Sequence, residues 1–103
     1  MNTPEQAGAA LARDMIALVE AHFTQNDQRM IAMNSIMGAF LEFEELIFEG
    51  DSEQGLDRHN AFSKVVYPYM RDCIKNSASC PDDVKERMLE ANAEMCEVYG
   101  VNV

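Results

Sequence analysis

The chain has 103 residues, of which 48% are hydrophobic and 25% charged. That suffices for one core and argues against disorder. Eighteen Asp and Glu face eight Lys and Arg, a formal net charge of −10. A field of that sign repels nucleic acid and anionic membranes and attracts basic surfaces.

No apolar run approaches the ~18 residues of a membrane span. Met1-Asn2-Thr3-Pro4-Glu5 has neither the basic start nor the apolar stretch of a signal peptide. Three cysteines (Cys73, Cys80 and Cys96) are too few for a disulfide scaffold. A soluble, cytoplasmic protein of one domain, residues 1–103, is expected, with reduced thiols.

The first predicted helix starts at Thr3. A capping hydroxyl, Pro4 at the first helical position and Gln6 at the third form a start signal. Leu11, Met15, Leu18 and His22, flanked by Ala12, Val19 and Phe23, predict a broad buried face ending near Thr24 or Gln25.

Asn26-Asp27 reads as a turn and the next cap. The second helix should reach Glu49 and stop at Gly50. It is the most apolar segment, so it is expected to be central or to be covered by a partner. Met30, Met33, Met37 and Phe40 share one side. Core packing explains them, and a homodimer face through the same residues is the alternative.

Asp51 should cap the third helix, with Gln54 three residues on. Leu56, His59, Phe62, Val66, Tyr69 and Cys73 form its apolar face. Pro68 falls inside the pattern, which predicts a kink or break, with Asn60 able to cap a restarted helix. After the loop Asn76-Ser77-Ala78-Ser79, Ser79 or Cys80 should cap a fourth helix opened by Pro81. Val84, Met88, Ala91, Met95 and Val98 then form a heptad seam, ended by Gly100. Strand signals are absent. The expected fold is an all-α, four-helix antiparallel bundle, or five helices if Pro68 breaks the third.

Catalytic and metal-binding patterns are missing. The Glu-x-x-His pairs of a di-iron bundle do not occur. His22 and His59 sit on apolar stripes without a carboxylate at helical spacing. Cys73, Cys80 and Cys96 lack the close pairing of a zinc site. A calcium loop opening at Asp51 would need Gly where Leu56 stands and Glu where Phe62 stands. The glycines are scattered, so no phosphate loop forms, and no base accompanies a cysteine nucleophile. No catalytic residue, metal or cofactor is expected.

The acids are ordered. Asp83, Glu86, Glu90, Glu94 and Glu97 step by 3, 4, 4 and 3, which sets five carboxylates on one helical face. They span about 21 Å at ~1.5 Å per residue. Glu42, Glu45 and Glu49 make a second stripe, continued by Glu53, and seven acids with no base lie from Glu42 to Asp57. Like charges at such spacing cost stability, and acids at a helix C-terminus are disfavoured. Such rows either keep a face solvated or serve to be met by a basic partner. Carboxylates about 5–6 Å apart roughly imitate successive phosphates.

In size, acidity, helical make-up and lack of motifs, the whole chain resembles the small phage-encoded inhibitors: anti-CRISPR proteins, other DNA mimics and anti-restriction proteins. The resemblance rests on the two acidic stripes, and no family residue carries over. It implies occupation of a nucleic-acid site on a basic, nucleic-acid-handling partner, without direct binding of nucleic acid. Toxin-immunity proteins share this surface logic. A helical homodimer or adaptor, acidic only for solubility, is the reading from another class.

Overall fold

A computed structural model describes residues 3–48 and 53–103, with side chains from 38 to 48 left aside. It is all-helical among these residues: α1 (Pro4–His22), α2 (Asn26–Phe48), α3 (Glu53–Lys75) and α4 (Asp82–Val98), packed together. No described helix is long and apolar enough to cross a membrane.

The start of α1 follows its sequence signal. The Gln6 N–H donates to Thr3 Oγ1 at 3.2 Å and the Thr3 N–H to Gln6 Oε1 at 3.0 Å, a reciprocal capping box. The buried line of α1 differs from the expected one. Gly8, Ala12 and Val19 face inward, whereas His22 and Phe23 are exposed and Leu18 is 57% exposed. The cause is close approach. A Cβ at Gly8 would collide with the Arg58 carbonyl oxygen. The smallest residues therefore sit where two helix backbones meet, and the larger ones turn aside.

The central helix is α3, not α2. Among the described residues α3 packs against α1, α2 and α4, α1 touches α2, and α4 leans on α3 alone. Gly55, Phe62, Ser63, Val66, Met70, Cys73 and Ile74 are buried along it, so two small residues join the large ones inside. Leu56, expected inside, is 54% exposed. Phe62, Val66 and Met70 meet Ala12, Val19 and Met33 in the core.

Pro68 does not break α3, and Asn60 caps nothing: the helix runs uninterrupted through both. Proline deprives the carbonyl four residues earlier of its donor. That carbonyl belongs to Lys64, an exposed residue, and a carbonyl open to solvent can be satisfied there. Burial of Val66, Met70 and Cys73 on both sides of the proline offsets the rest of the ~3 kcal/mol penalty.

Asn26 is the first residue of α2 rather than its cap. The Arg29 N–H bonds the Gln25 carbonyl at 3.0 Å. Asp27 reaches across the molecule instead: the hydroxyls of Ser77 and Ser79 both donate to its carboxylate. Asn26 Nδ2 donates to the Asn76 carbonyl at 3.1 Å. The start of α2 is thus fastened to the loop between α3 and α4. Those serines are consequently not caps of α4, whose cap position is Pro81, without a side-chain bond. The expected cap at Asp51 and the stops at Glu49 and Gly50 lie outside the described residues.

The end of α4 is as the glycine predicts. Gly100 has φ 75°, the Gly100 N–H bonds Glu97 O at 3.0 Å and the Val101 N–H bonds Cys96 O at 2.8 Å. This is a Schellman motif, which needs a left-handed residue just past the last turn.

A candidate docking face on the fourth helix

Two rows of side chains fix how α4 sits. The buried residues are Asn92 and Cys96, with half-buried Leu89 and Tyr99 in line. Asn92 Nδ2 donates to the Tyr67 carbonyl of α3 at 2.9 Å, and its Oδ1 accepts from Cys96 Sγ at 3.4 Å. Arg71 Nη1 donates to the Leu89 carbonyl at 3.1 Å. The Tyr99 ring stacks on Tyr67 with centroids 5.6 Å apart and planes 13° apart, and its hydroxyl lies 3.0 Å from His59 Nε2. The α3–α4 interface thus carries polar tethers and ring stacking.

This sets the rotation of α4. At ~100° per residue the inward line through Leu89, Asn92 and Cys96 lies about a third of a turn from the predicted seam. The seam is accordingly not a buried core: Val84, Met88 and Met95 are half-buried, Ala91 is exposed and Val98 is 71% exposed. The heptad pattern missed this because the true contact line contains an amide and a thiol.

The acidic row falls on the far side. Asp83, Glu86, Glu90, Glu94 and Glu97 are all exposed. Among the described residues only Asp83 of the five has an ion pair, to Arg87 at 3.8 Å. Both members are solvated, so the pair is worth at most about 1 kcal/mol. The nearby cations are engaged by backbone. Arg71 holds Leu89 O, and Lys85 Nζ donates to Ser77 O at 3.0 Å. Lys85 and Arg71 border a shallow hollow with Glu86 and Glu90, yet neither neutralises them. Four carboxylates of one arc are left facing solvent.

The second stripe is described only in part. Glu53 is exposed at the first turn of α3, while the side chains of Glu42, Glu45 and Glu49 lie outside the described residues. The methionine face divides. Met33 is 0% exposed and belongs to the chain's own core, so it offers no surface to a second copy. Met30 and Met37 are half-buried, and the Phe40 side chain lies outside the described residues. The exposed apolar residues at the α1–α2 side are Leu18, Phe23 and Ile31, the last 62% exposed, around a hollow of about 810 Å³.

The thiols are all free, with Cys73 and Cys96 buried. Burial pushes both above the ordinary thiol value, which disfavours the thiolate a nucleophile or metal ligand requires. No group of three or more His, Cys, Asp or Glu gathers to hold a metal among the described residues. His22 is exposed, and His59 contacts Tyr99.

No family model, no curated protein and no solved structure matches the chain.

Proposed function

We propose that this chain is a non-enzymatic, acidic protein–protein interaction module that inhibits a basic, nucleic-acid-handling partner by occupying its nucleic-acid surface, in the manner of anti-CRISPR and DNA-mimic proteins. One observation carries the reading: Glu86, Glu90, Glu94 and Glu97 stand exposed along one arc of α4 with no ion pair among the described residues, on a helix whose other side is fixed to α3. Row order and solvation are what a phosphate-like rod requires, and the like-charge repulsion along it has no compensation within the described residues. We read the four helices as an antiparallel bundle that displays this rod, and place the protein in the cytosol, where its three thiols stay reduced.

The test is a charge reversal. Glu86→Lys with Glu90→Lys should abolish capture of the basic partner from a host lysate, and duplex DNA should compete with the native chain for it. Circular dichroism of the variant should be unchanged, because both residues are exposed. Native binding should weaken steeply with salt, since exposed charges are screened within ~8–10 Å. Full binding by the double variant would refute the docking role of the row.

A homodimer is the second reading, favoured by Leu18, Phe23 and Ile31 around the α1–α2 hollow. It predicts a concentration-dependent mass in light scattering, insensitive to salt and lowered by Ile31→Ser. A toxin-immunity role uses the same acidic face and is distinguished by what the capture recovers.

A further inference from the structure

Between α2 and α4 lies an open groove of about 230 Å³. These two helices make no close backbone approach among the described residues. Met30 of α2, Met70 of α3 and Met88 and Met95 of α4 line it, with Asn34 and Ala91 among the residues at its sides. The volume is below the ~300–1,000 Å³ of small-molecule pockets, which suits an inserted side chain better than a free ligand. Thioether side chains are unbranched and polarizable, and they adapt to whatever apolar group enters.

The groove is continuous with charge. Going around α4 from Met95 and Met88, exposed Ala91 and Val98 come next, then exposed Glu94, Glu90 and Glu97. The single cation on this arc, Arg87, sits nearer the start of the helix and pairs with Asp83. The C-terminal half of α4 therefore presents an apolar strip leading into a methionine-lined hollow, with carboxylates along one border. An occupant of matching chemistry has an apolar stripe and cationic flanks.

We infer that the partner engages this face through a basic amphipathic helix, whose apolar anchors enter the Met30–Met70–Met88–Met95 groove and whose Lys or Arg side chains meet Glu90, Glu94 and Glu97. The inference rests on the acidic-docking reading above and adds to it the partner's secondary structure and the second half of the contact. It belongs to the helix-in-groove mode, in which anchors at i, i+3, i+4 and i+7 supply most of the affinity.

Three synthetic helical peptides of about 18 residues, or five turns, separate the components. The first has a leucine stripe with lysine flanks, the second keeps the lysines and replaces leucine by glutamine, and the third keeps the leucines and replaces lysine by glutamine. Titration of the full chain is followed by calorimetry and by the methionine methyl resonances. The first peptide should bind at least about tenfold more tightly than either other, as loss of one anchor or one charge cluster implies. It should shift the methyls of Met30, Met70, Met88 and Met95 and leave that of buried Met33 in place. The Ala91→Gln/Val98→Ser variant alters only exposed positions. It should weaken the first peptide by about tenfold and leave the second unchanged. Equal binding of the first and second peptides, without methyl shifts, overturns the groove and leaves the acidic reading standing. Equal binding of the first and third overturns the acidic reading and keeps an apolar groove. Binding of neither lysine peptide at low salt overturns both.

Discussion

The two sides of α3 are built on opposite principles. Toward α1 it meets Gly8 and Ala12 so closely that Gly8 has no room for a Cβ against the Arg58 carbonyl. Toward α4 it offers a carbonyl, a guanidinium and a tyrosine ring. The first contact is steric and apolar and excludes water from the centre. The second is directional. It fixes the rotation of α4 through a few hydrogen bonds and holds the acidic row outward. A stable core and a presented surface can thus share one helix, each using a different kind of residue.

That contrast can be broken from either side. Phe62→Ala should have the largest effect, about 3–5 kcal/mol, because the ring is 1% exposed at the centre. Chemical denaturation would measure it, and a loss under 1 kcal/mol would mean that the core is misplaced. Gly8→Ala should cost up to about 3 kcal/mol, since a backbone carbonyl cannot yield as a side chain does. Each kcal/mol lost should lower Tm by about 4–8 degrees in a chain of this size. An unchanged Tm would show that α1 and α3 do not cross there.

Asn92→Ala should cost less, about 1–2 kcal/mol, by leaving the Tyr67 carbonyl without its cross-helix donor. Its signature is regional: amide resonances of α4 should move while those of α1 stay. Uniform shifts would contradict a separately tethered α4.

The smallest effect concerns Asp27. Hydrogen bonds from Ser77 and Ser79 hold its carboxyl below the ordinary value. A depressed folded-state value stabilises above the unfolded value, and the contribution is lost as pH falls through the folded one. Asp27→Asn should therefore lower Tm at neutral pH, and the difference from the native chain should vanish in strong acid. A gap that persists in acid would assign Asp27 a role other than that of a carboxylate.

The helices were legible because their ends carry local chemistry. Thr3 with Pro4 and Gln6, and Gly100 after the last turn, act within a few residues of themselves. Rotation and neighbourhood were not, because they depend on residues far apart in the chain. Apolar counting made α2 either central or covered by a partner, whereas Gly55 and Ser63 lie buried along α3, which takes the centre among the described residues. The same counting turned Leu18 and His22 inward and gave α4 a seam at Val84–Val98, where Asn92 and Cys96 make the contact. At Pro68 the local rule was sound, and three-sided packing outweighed it. Of the candidate face, the shared exposure of the α4 acids was readable from their helical spacing. The groove beside it was not, because it exists only once α4 is rotated by its polar tethers.

Among the described residues α4 makes close backbone contact with α3 alone, and this has a dynamic consequence. A helix with one supporting surface opens at lower free energy than the global transition and forms its own cooperative unit. Amide protons of α4 should exchange with deuterium well before those of α1 and α3. A ligand of the acidic row that bound only the closed form would slow that exchange in proportion to its occupancy. The protein would carry its own reporter of occupancy, and it could be followed without labelling the partner.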